Sequence, residues 1–372
     1  MPTLATQSQS MQTNRMLFLR PLVLLGLAAA SISHAASPNE NARFLAGLPV
    51  PEGPMTALGQ KSGMAEHAAA LNGAWSSLQK RQLDPIATWR QEFLPTAQDR
   101  ALFYFFSGPD ILYAHAFFPD APVYILCGIE PVGGIPDVEK VHHDRLYPAM
   151  RQMRKSLESV FNWSFFKTKD MKVDFEGTPL RGITPILYLF LSRMGCHLHS
   201  TELVSVDRDG NLLEEKIAGS AASGIRITFT RPGQTKEQTV YYFCSDLSEA
   251  PVSKSGFLKW CDSQGAGDSF VKSASYLMHS GNFATTRKFL LEHSERLLSD
   301  DSGIPLQYFA ENQWNLSLFG VYLGPISLFK EYNQPNLAAK YKLEKTPPLP
   351  FGFGYQWRSN QSTVMLAKKA AH

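Results

Sequence analysis

Two short stretches of this chain are apolar without alternation, and they set the expected fold. Ala101-Leu-Phe-Tyr-Phe-Phe106 and Val123-Tyr-Ile-Leu-Cys127 have the length and continuity of strands buried on both faces of a sheet. Ser107-Gly108-Pro109-Asp110 breaks the first run. Gly108 can take a positive φ and Pro109 suits a first helical position, so a short helix is predicted over 109–118. Strand, helix and strand within about 30 residues is the size of a right-handed βαβ unit with parallel strands.

Elsewhere the apolar spacing follows the helical period. A helix is predicted from Met64 with Leu71, Trp75 and Leu78 on one face. A second is capped by Asp84, with Ile86, Trp89 and Phe93 inward. Met150, Met153, Leu157 and Val160 mark a helix over 147–161, Ile183 to Met194 reads as a buried helix, and Trp163 to Met171 as a loop. His199 to Val206 is a predicted strand, and 224–230 with 239–245 a hairpin around Arg231-Pro232-Gly233. Asp268 and Asn282 are read as caps of helices over 269–279 and 282–298. The expectation is an α/β fold: a mixed, partly parallel sheet with flanking helices and a helical, aromatic-rich C-terminal part. It forms one domain over 63–357, with an extended leader at 36–62 and a disordered tail at 358–372.

The N-terminus changes the picture of where the chain works. Arg15 and Arg20 precede the apolar run Pro21 to Ala30, and small residues stand at Ser33 and Ala35. These are the parts of a secretory signal peptide cut after Ala35. The run is too short to span a bilayer, which takes about 20 residues, so a periplasmic or secreted monomer with no membrane span is expected. Hydrophobic residues at 44% against 19% charged fit an ordered globular protein. Loss of Arg15 and Arg20 takes the formal net charge from +3 to +1, a balance that argues against a nucleic-acid binder. After export Cys127, Cys196, Cys244 and Cys261 could form disulfides. Cys244 with Cys261 is the preferred pair, because a polar, Gly-containing loop separates them; four buried thiols are the alternative. No C-x-x-C spacing supports zinc.

The runs 103–110, 128–133, 164–171, 300–305 and 348–355 resemble segments of exported bacterial proteins with no assigned activity. That resemblance implies an envelope or secreted protein and supplies no catalytic residues.

Ligands of parallel α/β sheets bind outside the carboxyl ends of the strands, so the turns leaving the two apolar runs form the candidate site. Ser107, Gly108 and Asp110 leave the first, Glu130 and Gly133 the second. On adjacent strands Asp110 and Glu130 would divide acid and base roles once their environments separate them. The alternative for Asp110 is a helix start. Ser107 lies where a nucleophile is exposed in hydrolases, but G-x-S-x-G is absent, and its hydroxyl could instead serve the helix amides. Lys167, Lys169 and Asp170 could hold an anionic or carboxylate group or form a solvated turn. Ser269, Lys272, Tyr276 and His279 share a face of the predicted helix. Ser-Phe-Val-Lys matches S-x-x-K without S-D-N or K-T-G, so a solvated face is expected. His197 and His199, with His142, His143 and Asp144, lack a fixed ligand spacing. Neither a metal nor a cofactor is expected. The functional reading is a hydrolase of a small-molecule or envelope-derived substrate. In it Asp110 and Glu130 act as acid and base, while Ser107 or Lys169 positions the substrate. The alternative is a non-catalytic periplasmic ligand-binding or envelope interaction protein.

Overall fold

A computed structural model describes residues 35–51, 55–95, 99–166, 177–214 and 222–370. The fold is α/β. Ten strands form one mixed sheet: β1 (Leu102–Tyr104), β2 (Val123–Gly128), β3 (His197–Val206), β4 (Leu212–Leu213), β5 (Ala222–Thr230), β6 (Glu237–Cys244), β7 (Gly267–Val271), β8 (Ser294–Ser299), β9 (Trp314–Gly320) and β10 (Thr363–Lys369). They lie in the order β4-β3-β5-β6-β2-β1-β7-β8-β10-β9. The five central strands β6, β2, β1, β7 and β8 are mutually parallel, and the outer ones are antiparallel.

The unbroken apolar runs follow from covering on both faces. Leu102, Tyr104, Tyr124 and Leu126 pack into a core with the helices of residues 38–193, whereas Phe103, Phe105, Ile125 and Cys127 pack into a second core with the helices of residues 249–343. Successive side chains of one strand thus feed two layers. Truncating a ring such as the fully buried Phe103 to Ala is expected to cost about 3–5 kcal/mol.

Several expectations need correction. Residues 36–62 do not form an extended leader: Ser37 and Glu40 make a reciprocal capping box at the start of a helix over Pro38–Leu45. Its Phe44 and Leu45 are fully buried. The end of the chain is no loose tail, because β10 inserts between β8 and β9. Ser269 lies inside β7, not on a helix, and the second predicted helix ends at His293, where β8 begins. Asp268, which reads as a helix cap, is instead a strand residue bound by Arg296. None of the four cysteines is in a disulfide, so Cys244 and Cys261 are not bridged. No helix among the described residues is long and apolar enough to cross a membrane.

Candidate functional site

From β1 the chain steps to β2 on one side, while β7 and β8 lie on the other. The strand order therefore reverses at β1 and β7, and at such a switch point the loops leaving the carboxyl ends diverge and open a crevice. A cavity of about 360 Å³ lies there, lined by residues from the ends of β6, β2, β1 and β7. Ser107, Gly108, Asp110 and Glu130 all line it, so the two polar turns meet at one mouth. Gly128 makes that meeting possible: a Cβ on it would run into the Glu130 carboxylate and approach the Cα of Gly108.

Asp110 caps the helix Ile111–Phe117 by accepting from the Tyr113 amide at 3.1 Å. Its other oxygen accepts from the Tyr104 hydroxyl at 2.8 Å and faces the Lys272 ammonium at 3.0 Å. Both charged side chains are 1% exposed. Lys272 also donates to the Ser164 carbonyl, at the C-terminal end of the helix His143–Trp163, where the helix dipole favours a cation. The Tyr113 ring lies 4.3 Å from the ammonium. Burial pushes the Asp110 carboxyl above its usual range, against the pull of Lys272 and the donated hydrogen bonds.

The chain leaving β7 is strained. Ser273, Ser275 and Tyr276 have φ of 54°, 52° and 55°, left-handed values that cost a non-glycine residue on the order of 1–3 kcal/mol each. Their amides and side chains are pinned from β8 and the C-terminal segment. Ser273 donates its N–H to Asp300 at 3.1 Å, Ala274 to the Ser302 hydroxyl at 2.8 Å, and Ser275 to the Tyr355 hydroxyl at 3.2 Å. The Tyr276 hydroxyl donates to Asp301 at 2.7 Å. Burial, followed by the neighbouring Asp300 charge, pushes the Asp301 carboxyl up to about 7.

Towards β6 the crevice is less saturated. The Tyr242 hydroxyl lies 3.1 Å from Glu130 Oε2 and 2.9 Å from the Glu130 carbonyl, and fills at most one of the roughly four acceptor positions of the carboxylate. The Ser245 hydroxyl, at 5% exposure, has no hydrogen-bond partner among the described residues, nor does that of Ser273. Both residues line the crevice. Such buried, unpaired polar groups cost about 1–3 kcal/mol and mark where a ligand would satisfy them.

The other expected residues divide. Ser107 donates its hydroxyl to the Gly108 carbonyl at 2.8 Å, an arrangement that holds the turn. Gly133 takes a φ of 82° but lines a neighbouring cavity of about 920 Å³ together with Arg181 and Gly182. Lys167, Lys169 and Asp170 lie outside the described residues. Ser269 bonds Ser294 at 2.6 Å within the sheet. His199 meets Thr230 on β5 at 3.1 Å. His142, His143 and Asp144 cluster by themselves on the surface. Sequence reasoning missed Ser245 and Tyr355, and it placed Lys272 on a solvated helix face although the side chain is buried. The available signal was Gly267 to Val271, a five-residue run ended by a polar stretch. Compared with known proteins, the chain matches no family model and no curated sequence.

Proposed function

We propose that the chain binds a small, hydroxyl-rich molecule in the crevice at the carboxyl ends of β6, β2, β1 and β7. The observation that carries this reading is the pairing of a switch-point cavity with acceptors that still have capacity, Glu130 and the Ser245 and Ser273 hydroxyls. Asp110 contributes rigidity: with the Lys272, Tyr104 and Tyr113 donors on its oxygens, it anchors the floor. A thermal-shift screen of sugars, polyols and nucleosides tests the proposal through linkage. At least one class should raise Tm in the wild type and not in Ser245→Trp, which fills the crevice. Equal responses in both proteins would contradict it.

Hydrolysis is the second reading, favoured by Asp110 and Glu130 lining one cavity. If it holds, Asp110→Asn and Glu130→Gln abolish turnover of a hydrolase substrate panel while the proteins stay folded. Intact turnover in both variants removes it.

Export remains part of the proposal. One compact unit of the chain begins at Ala35, beside the predicted cut. N-terminal sequencing of protein recovered from a secreting bacterial host should begin at Ala36, and a retained Arg15–Arg20 segment would count against export. The expected monomer should elute from gel filtration at the mass of the single mature chain.

A further inference from the structure

The geometry points to a purine nucleoside with a non-phosphate 5′ arm as the occupant of this crevice, an inference that rests on the binding reading above. Three features lie in line across it. At the end of β2 stands the buried Glu130. A carboxylate after the second strand of a sheet wound this way is where the 2′-hydroxyl of a ribose is accepted. At the end of β6 stand Ser245, Asp246 and Leu247. Asp246 is exposed and can accept from an exocyclic amino group, and the unpartnered Ser245 hydroxyl lies beside it. Ile129 is 56% exposed although it lines the cavity, and Leu247 and Phe283 are among its further apolar lining. An exposed Ile at the lip is explained if it lies against one face of a planar base. At the ends of β1 and β7 stand Asp110, Lys272, Ser273 and Ser275. Neighbouring strands lie about 4.8 Å apart, so β6 to β7 spans about 14 Å, room for base, sugar and a short 5′ arm in that order.

The charges argue against phosphate. Among the described residues Asp110, Glu130 and Asp246 line the cavity with one cation, Lys272, and that ammonium already serves Asp110 and the Ser164 carbonyl. In the short helix after β1 the Tyr113 amide is taken by the Asp110 carboxylate. A dianion would meet net repulsion. A neutral or zwitterionic arm would not, and the Ser273 and Ser275 hydroxyls suit it.

Isothermal titration with adenosine, 2′-deoxyadenosine, AMP, S-adenosylhomocysteine and D-ribose tests this inference. S-adenosylhomocysteine is included because its 5′ arm is a zwitterion. Adenosine and S-adenosylhomocysteine should bind, 2′-deoxyadenosine and AMP about tenfold or more weaker, a difference of about 1.4 kcal/mol. Glu130→Gln should lose the preference for the 2′-hydroxyl. Asp246→Asn, an exposed change that leaves the fold intact, should weaken adenosine and leave ribose unchanged. AMP binding as tightly as adenosine, or 2′-deoxyadenosine as tightly as the ribonucleoside, overturns the inference. If ribose or other polyols bind and no nucleoside does, the nucleoside inference falls and the crevice reading stands. If Ser245→Trp leaves every interaction unaltered, both fall.

Discussion

Strand β7 carries an ion pair at each end, and the two ends differ in what surrounds them. At the amino end Asp268 is gripped by Arg296, whose Nε donates to Oδ1 at 3.0 Å, with Arg100 at 4.0 Å. A planar guanidinium satisfies both carboxylate oxygens at once, and the adjoining cavity is only about 20 Å³. At the carboxyl end Lys272 and Asp110 make a point-charge contact beside about 360 Å³ of open space, on a backbone that turns left-handed at three residues. One end is closed by its own side chains. The other is held open with hydroxyls unpaired, which is the expected cost of a preorganised binding site.

The largest expected effect comes from breaking the pair at the open end. Lys272→Met leaves the Asp110 charge buried without a counter-charge and should cost about 3–5 kcal/mol in urea unfolding, whereas the Lys272→Met/Asp110→Asn double variant should recover most of that loss. Arg296→Met at the closed end should cost less, because Arg100 still faces Asp268. Equal losses would erase the contrast.

Next in size is Gly354→Ala. Gly354 has a φ of 71° and packs directly against the Asp300 carboxylate. A methyl there meets both backbone strain and that carboxylate, for an expected loss of about 1–3 kcal/mol by thermal unfolding.

Smaller still is a pH effect confined to the open end. The Asp301 carboxyl titrates at about 7 in the folded chain, well above its usual range, so the folded state binds this proton more tightly than the unfolded one. Stability from this group is present below the unfolded pKa and is lost as pH rises from there through about 7. Unfolding midpoints measured between pH 5 and 8 should therefore fall with pH, and Asp301→Asn should flatten the slope. An unchanged slope would place the titration elsewhere.

Smallest is Ser245→Ala, which removes a buried unpaired hydroxyl and should leave the ligand-free protein as stable or up to about 1 kcal/mol more stable. A clear destabilisation would mean that the hydroxyl serves the fold.

The central βαβ unit was legible because its strands are buried on both faces, which writes apolar residues at every position instead of every other one. Gly108 and Pro109 marked the turn, and the two acids came from the rule that parallel strands open at their carboxyl ends. The C-terminal third was misread for a physical reason. Asp268 and Asn282 precede helix-compatible spacing, and cap chemistry is local, whereas the pairings of β7 with β1 and β10 with β8 join residues far apart in sequence. Lys272 became part of the site only through that long-range pairing. The leader was misread because Pro38 and Asn41 look like loop residues, although Pro is favoured in a first helical turn.

Amide hydrogen exchange tests most directly whether the open end of β7 is the binding end. It would be measured with and without the tightest binder from the sugar, polyol and nucleoside panel. The account predicts added protection in residues 106–110, 128–130, 245–247 and 272–275, and none around Asp268 and Arg296. Protection at the amino end of β7, or none at these carboxyl-end loops, would contradict it.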